Sequence, residues 1–197
     1  MNRRLFLAAL GFAVLLGRAP SANANGSIEI KQASLEVVAG ENASLRLLLN
    51  ADVSMPLTDT LVDAVNRGLA LYFQTELEIQ RPRWYWTDEK LVETSIEWRL
   101  SYHALTRQYR VSGNALGQSY GTLDEALGAM GTIRAMPVAV ADNLVAGRRY
   151  DAWVRMRLDA TRLPKPFQMT ALTNREWNPQ SEWKRFDFTV PTPTAVR

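Results

Sequence analysis

Leu69-Ala70-Leu71-Tyr72-Phe73-Gln74-Thr75-Glu76-Leu77-Glu78-Ile79-Gln80 sets Leu69, Leu71, Phe73, Thr75, Leu77 and Ile79 on one side of an extended backbone. Tyr72, Gln74, Glu76, Glu78 and Gln80 fall on the other. A period of two is that of a β-strand, whose successive side chains point to opposite faces. The following segment repeats the pattern, with Val92, Thr94, Ile96, Trp98, Leu100 and Tyr102 facing inward against Glu93, Ser95, Glu97, Arg99, Ser101 and His103. Strands with one apolar and one polar face build antiparallel sheet that packs a core on one side and meets water on the other.

Working outward, Ile28–Val38 and Leu45–Leu49 flank Ala39-Gly40-Glu41-Asn42, a hairpin connection rich in turn formers. Arg107–Ser112, ending at Gly113-Asn114, is a return from Tyr102, and Leu116–Tyr120 continues the meander. Tyr150, Ala152, Val154, Met156 and Leu158 alternate with Asp151, Trp153, Arg155, Arg157 and Asp159, and a last strand runs from Trp183 to Val190. Two helices interrupt the strands. The first has Ser54 as cap, Pro56 in the first turn, Leu57, Leu61 and Val65 on one face, and Gly68 as its stop. The second opens with the capping box Thr122-Leu123-Asp124-Glu125 and carries Leu123, Ala126, Leu127, Met130 and Ile133 on one stripe. Gly128 and Gly131 each weaken that helix by about 1 kcal/mol relative to alanine, so it needs packing to persist. The expected class is mainly β (α+β): an antiparallel, two-sheet, β-sandwich-like domain with two helices.

The chain has 197 residues, 47% hydrophobic and 22% charged, which is globular composition. It contains no cysteine, which excludes disulfides, thiol nucleophiles and cysteine metal sites. Arg3 and Arg4 precede an apolar run from Leu5 to Leu16, and Ala22-Asn23-Ala24 supplies an A-x-A cleavage site, so residues 1–24 read as a signal peptide. Residues 25–197 then form a single globular β-rich domain. The run is shorter than the roughly 20 residues a membrane span needs; a retained anchor is the alternative, and an uncleaved signal is the one route to the membrane. Arg3-Arg4-Leu5-Phe6-Leu7 is also similar to a twin-arginine core, although no cofactor motif calls for export in the folded state. Arg3, Arg4 and Arg18 account for the whole formal charge of +3, and the remainder is neutral. Acids and arginines alternate along the same segments, against a nucleic-acid role.

His103 is the only imidazole, which leaves no multi-histidine metal site, and its register puts it on a charged outer face. Ser181-Glu182-Trp183-Lys184 matches S-x-x-K, but in a strand entrance that spacing puts serine and lysine on opposite faces. Asp88 and Glu89 lie near Trp84-Tyr85-Trp86, yet adjacent acids are a poor guide to a catalytic pair, which must converge across about 5–9.5 Å. No phosphate loop, metal loop or cofactor motif occurs, so no catalytic residue, metal or cofactor is expected.

The aromatic residues carry more information. Trp84, Tyr85 and Trp86 follow Arg81-Pro82-Arg83, and rings beside arginine suit recognition of protein or glycan. Arg81, Arg83, Trp84, Tyr85 and Trp86 are therefore the candidate binding residues, against the plainer reading that the rings cap the end of the core. Trp177 and Trp183 flank Asn178-Pro179, and Trp153 lies on the polar side of its strand.

Six segments carry a resemblance: Arg83-Trp84-Tyr85-Trp86, Trp98-Arg99-Leu100-Ser101-Tyr102, Tyr109-Arg110-Val111, Leu123-Asp124-Glu125-Ala126-Leu127, Arg155-Met156-Arg157-Leu158-Asp159 and Leu163-Pro164-Lys165-Pro166. Over most of residues 27–190 the chain resembles a proteobacterial exported family catalogued only as a domain of unknown function. The resemblance implies genes often placed beside a membrane sensor kinase, and transfers no catalytic residue. The expected function is a non-enzymatic periplasmic interaction domain with a protein partner in the cell envelope, a sensor kinase among the options. The alternatives are an envelope-glycan binding module and a carboxylate-based hydrolase.

Overall fold

The computed structural model describes residues 26–39, 45–81, 89–113, 116–140 and 144–192. In chain order the elements are β1 (Glu29–Ala39), β2 (Leu45–Ser54), α1 (Asp59–Asn66), β3 (Leu71–Arg81), β4 (Glu89–His103), β5 (Gln108–Gly113), β6 (Leu116–Tyr120) and α2 (Leu123–Gly131). They continue as β7 (Thr132–Val140), β8 (Arg149–Leu158), α3 (Lys165–Thr173) and β9 (Lys184–Thr189). Short 3-10 turns at Ala160–Arg162 and Arg175–Trp177 flank α3. A three-stranded sheet has the order β1-β2-β7, and a six-stranded sheet the order β6-β5-β4-β3-β8-β9; all of the pairings are antiparallel.

The period-two segments pack with the faces their sequences dictate. Leu71, Phe73, Leu77 and Ile79 of β3 are buried, and on β8 Tyr150, Ala152, Val154, Met156 and Leu158 are all fully inaccessible. These meet Leu47, Leu49 and Ala51 of β2 and Ile133 of β7 in one continuous core, giving the sandwich-like arrangement. At one edge of the core Trp98 requires Gly113 opposite it on β5: a Cβ there would come within 2.5 Å of the indole.

The helices depart from expectation. Three are present among the described residues where two were expected. Residue 54 belongs to β2, paired with Glu29, because the ladder with β1 outweighs a serine's capping preference. The α1 cap is Thr58, whose Oγ1 accepts from the Leu61 N–H at 3.3 Å; Gly68, at φ +93°, follows the helix. The α2 capping box forms as expected, with Thr122 Oγ1 accepting from Glu125 N–H. That helix stops at Gly131, so Ile133 enters the core from β7. The β7 strand was hidden in sequence by Pro137 and by an irregularity that puts Ala135 at φ +44°. In α3, prolines 164 and 166 disguise a helix start, since proline in the first turn costs no helical hydrogen bond.

Candidate functional site

The polar face of the six-stranded sheet presents the densest group of interacting charged and aromatic side chains among the described residues. Its centre follows from register: Glu76 lies opposite Arg155, and Gln74 opposite Arg157. Arg155 donates to Glu76 Oε2 from Nε at 2.9 Å and from Nη2 at 2.5 Å, while Arg157 Nε donates to Oε1 at 2.7 Å. The network extends from Arg157 Nη2 to Gln74 Oε1 at 2.8 Å, and from Gln74 Nε2 to Asp159 Oδ2 at 2.9 Å. Asp159 in turn accepts from the Thr161 N–H and Oγ1–H. Burial pushes the Glu76 carboxyl up, but hydrogen bonds and charge from Arg157 and Arg155 outweigh it and hold the group below its ordinary value of 4.5.

Each outer ring of this face with a cation contact carries a guanidinium. Arg155 lies 4.5 Å from the Trp183 ring centre, and Arg185 lies 5.3 Å from that of Trp153. Tyr72 is approached by two cations, Arg162 at 4.6 Å and Arg99 at 6.0 Å. Arg162 is also ion-paired with Glu97, and Arg185 with Asp151. A groove of about 280 Å³ runs over this surface, lined among others by Gln74, Glu76, Glu93, Ser95, Arg155 and Trp183. Aromatic planes pinned by cations and half-buried carboxylates make a stiff surface with fixed donors and acceptors, suited to recognition.

Of the sequence candidates, Arg81 closes β3 opposite Glu89 and is half-buried. Arg83, Trp84, Tyr85 and Trp86 lie outside the described residues, as do Asp88 and the leader. His103 is exposed on the outer face, its Nδ1 3.2 Å from Thr106 Oγ1. Ser181 is buried, its Oγ accepting from Met156 N–H at 3.0 Å, so it extends the β8 ladder. Trp177 stacks on Phe167 at 4.8 Å and belongs to the core. Sequence reasoning did not assemble Glu76, Arg155, Arg157 and Trp183. The alternating acids of β3 and arginines of β8 were the available signal, but only register shows which acid meets which base.

The family model for the domain of unknown function (DUF4390) matches residues 25–187. The chain belongs to this family. No curated protein and no solved structure matches it.

Proposed function

We propose that the protein is an exported, non-enzymatic recognition domain that binds a protein partner in the periplasm through the outer face of its six-stranded sheet. One observation carries this reading: the Glu76–Arg155–Arg157 network and the arginine-covered rings form a continuous, pre-ordered polar surface around an open groove. Such a surface loses little side-chain freedom on binding, and arginine and tryptophan concentrate binding energy at protein interfaces. Glycan binding is less favoured, because Tyr72, Trp153 and Trp183 each have a guanidinium over the ring where a sugar would stack. A membrane sensor kinase is the finer expectation for the partner, resting on the family resemblance.

Photo-crosslinking in intact cells tests the proposal. A crosslinker at Ser95, in the groove, should trap a discrete envelope protein, and Arg155→Ala or Trp183→Ala should abolish the adduct. A crosslinker at Gln32, on the smaller sheet, should not trap it. Equal capture from both positions, or no discrete adduct from Ser95, overturns the reading; an adduct that is not a kinase overturns only the finer expectation.

A further inference from the structure

We propose a binding site for a neutral saccharide on the outer face of the three-stranded sheet, in a cavity of about 390 Å³ lined by Gln32, Ser34, Asn50, Asp52 and Arg134. Strand alternation puts these groups there. Asn50 and Asp52 alternate with the buried Leu49 and Ala51 of β2, and register sets Ser34 opposite Asn50 and Gln32 opposite Asp52. On its other side β2 meets β7 through an irregularity between the Leu49–Met136 and Ala51–Ile133 pairs, where Arg134 and Ala135 oppose Asn50 alone. A bulge of this kind re-aims a side chain, and here it brings Arg134 to the cavity wall.

The bulge is held by side chains as well as by the ladder. Ala135, at φ +44°, takes a conformation that glycine alone adopts freely, and its N–H donates to Asn50 Oδ1 at 2.8 Å. Arg134 donates from Nη1 to the carbonyls of Ala51 and Ile133 at 3.0 and 2.8 Å, and from Nη2 to Asp52 Oδ1 at 2.5 Å. Backbone strain fixed in place beside a cavity is an arrangement that binding sites use.

What these bonds leave over defines the ligand. The Asn50 amide N–H groups, Asp52 Oδ2, the Ser34 hydroxyl and the whole Gln32 amide make no hydrogen bond among the described residues. Donors and acceptors are thus interspersed around the cavity, while the Asp52–Arg134 pair cancels its own charge. An ionic ligand would find no lone counter-charge, and water bound to such a wall is replaced well only by groups that both donate and accept. Hydroxyls do so, and vicinal pairs on a sugar ring match the forked ends of carboxylate, amide and guanidinium. The volume lies at the small end of the roughly 300–1,000 Å³ that ligand pockets span, which suits a mono- or disaccharide. No aromatic ring lines the cavity, so hydrogen bonds alone hold the sugar and the expected Kd is about millimolar. The site shares no residue with the groove on the six-stranded sheet and does not depend on the protein-binding role proposed above.

The purified protein is titrated with methyl α-D-glucopyranoside, methyl α-D-galactopyranoside and N-acetyl-D-glucosamine, and separately with acetamide and glycine, while its amide resonances are followed. Saturable shifts at the Gln32 and Asn50 side-chain amides and at the backbone of Ser34, Asp52 and Ala135 are expected with at least one sugar, and with neither acetamide nor glycine. Ser34→Ala and Gln32→Ala, which remove groups bonded to nothing else, should each weaken binding about fivefold. Asn50→Asp keeps the acceptor for the Ala135 N–H but deletes the free amide donors, so binding should be lost with the bulge intact, as read from the Ala135 resonance. Glu36→Gln, exposed farther along β1, should bind as the parent does. Saturation of these residues by glycine or acetamide, shifts scattered over the surface, no saturation with any sugar, or full affinity in both Ser34→Ala and Asn50→Asp overturns the proposal.

Discussion

The indole N–H of Trp98 donates to Thr75 Oγ1 at 3.1 Å inside the core, joining β3 to β4 by side chains as well as backbone. Trp98 is 8% exposed and Thr75 1%, so water replaces neither partner. Trp98→Ala should cost about 3–5 kcal/mol, and Thr75→Val, which strands the indole N–H, about 1–3 kcal/mol. His103→Ala, on the opposite and exposed face, should change stability by less than about 0.5 kcal/mol. Urea denaturation of the three variants checks this; a larger loss for His103 than for Trp98 would contradict the register.

The two glycines of α2 should respond in opposite directions to alanine. At Gly131 a Cβ would come within 2.2 Å of the Val53 carbonyl oxygen, a backbone atom that cannot swing aside. Nothing lies within 4 Å of one at Gly128. Gly128→Ala should stabilise the domain by up to about 1 kcal/mol through helix propensity, while Gly131→Ala should destabilise it by more than about 2 kcal/mol by prising α2 off β2. Thermal unfolding distinguishes them, and a rise in Tm for both would refute the close approach.

Glu76 should make stability depend on acid pH. Its carboxyl is held below the ordinary 4.5 in the fold, so the stabilisation it brings is complete above that value and lost as pH falls through the lowered one. Glu76→Gln should therefore show a smaller loss of stability than the parent between neutral pH and about pH 3. Denaturant midpoints across this range supply the measurement; an identical acid decline in both proteins would mean that the arginine pair does not stabilise the ionised form.

Export should remove residues 1–24, given the basic start, apolar run and Ala22-Asn23-Ala24 in order. Intact-mass measurement of protein from the periplasmic fraction should give a chain beginning at Asn25. Full-length protein confined to the cytoplasm would reject the assignment; a cut a few residues away would move only its boundary.

What could be read in the sequence follows from how local each feature is. The inward faces of β3, β4 and β8 were legible because a period of two is written within one segment, as was the α2 capping box, closed by residues three apart. The α1 cap was misplaced because Ser54 is, residue for residue, a better cap than Thr58, and only the β1 pairing removes Ser54 from the choice. The outer-face cluster was illegible for a different reason. Glu76 could meet any arginine of β8 until register fixes Arg155 opposite it, and Trp183 joins by a contact that no spacing encodes.

The place of β2 bears on how the chain acquires its structure. It pairs with β1, its neighbour in sequence, and with β7, whose Val140 lies opposite Arg46 while Asp52 lies opposite Thr132. Everything from α1 through α2 must be made before that second pairing is possible. Closing so large a loop is entropically costly unless the intervening β3–β6 meander has already collapsed, since hairpins between consecutive strands form far sooner than contacts between distant ones. During synthesis from the N-terminus, the β1–β2 hairpin therefore waits with Leu47 and Leu49 uncovered and one backbone edge unpaired. In pulse-labelled hydrogen exchange, β7 amides should gain protection last, and the interval before they do is when this protein is most exposed to aggregation.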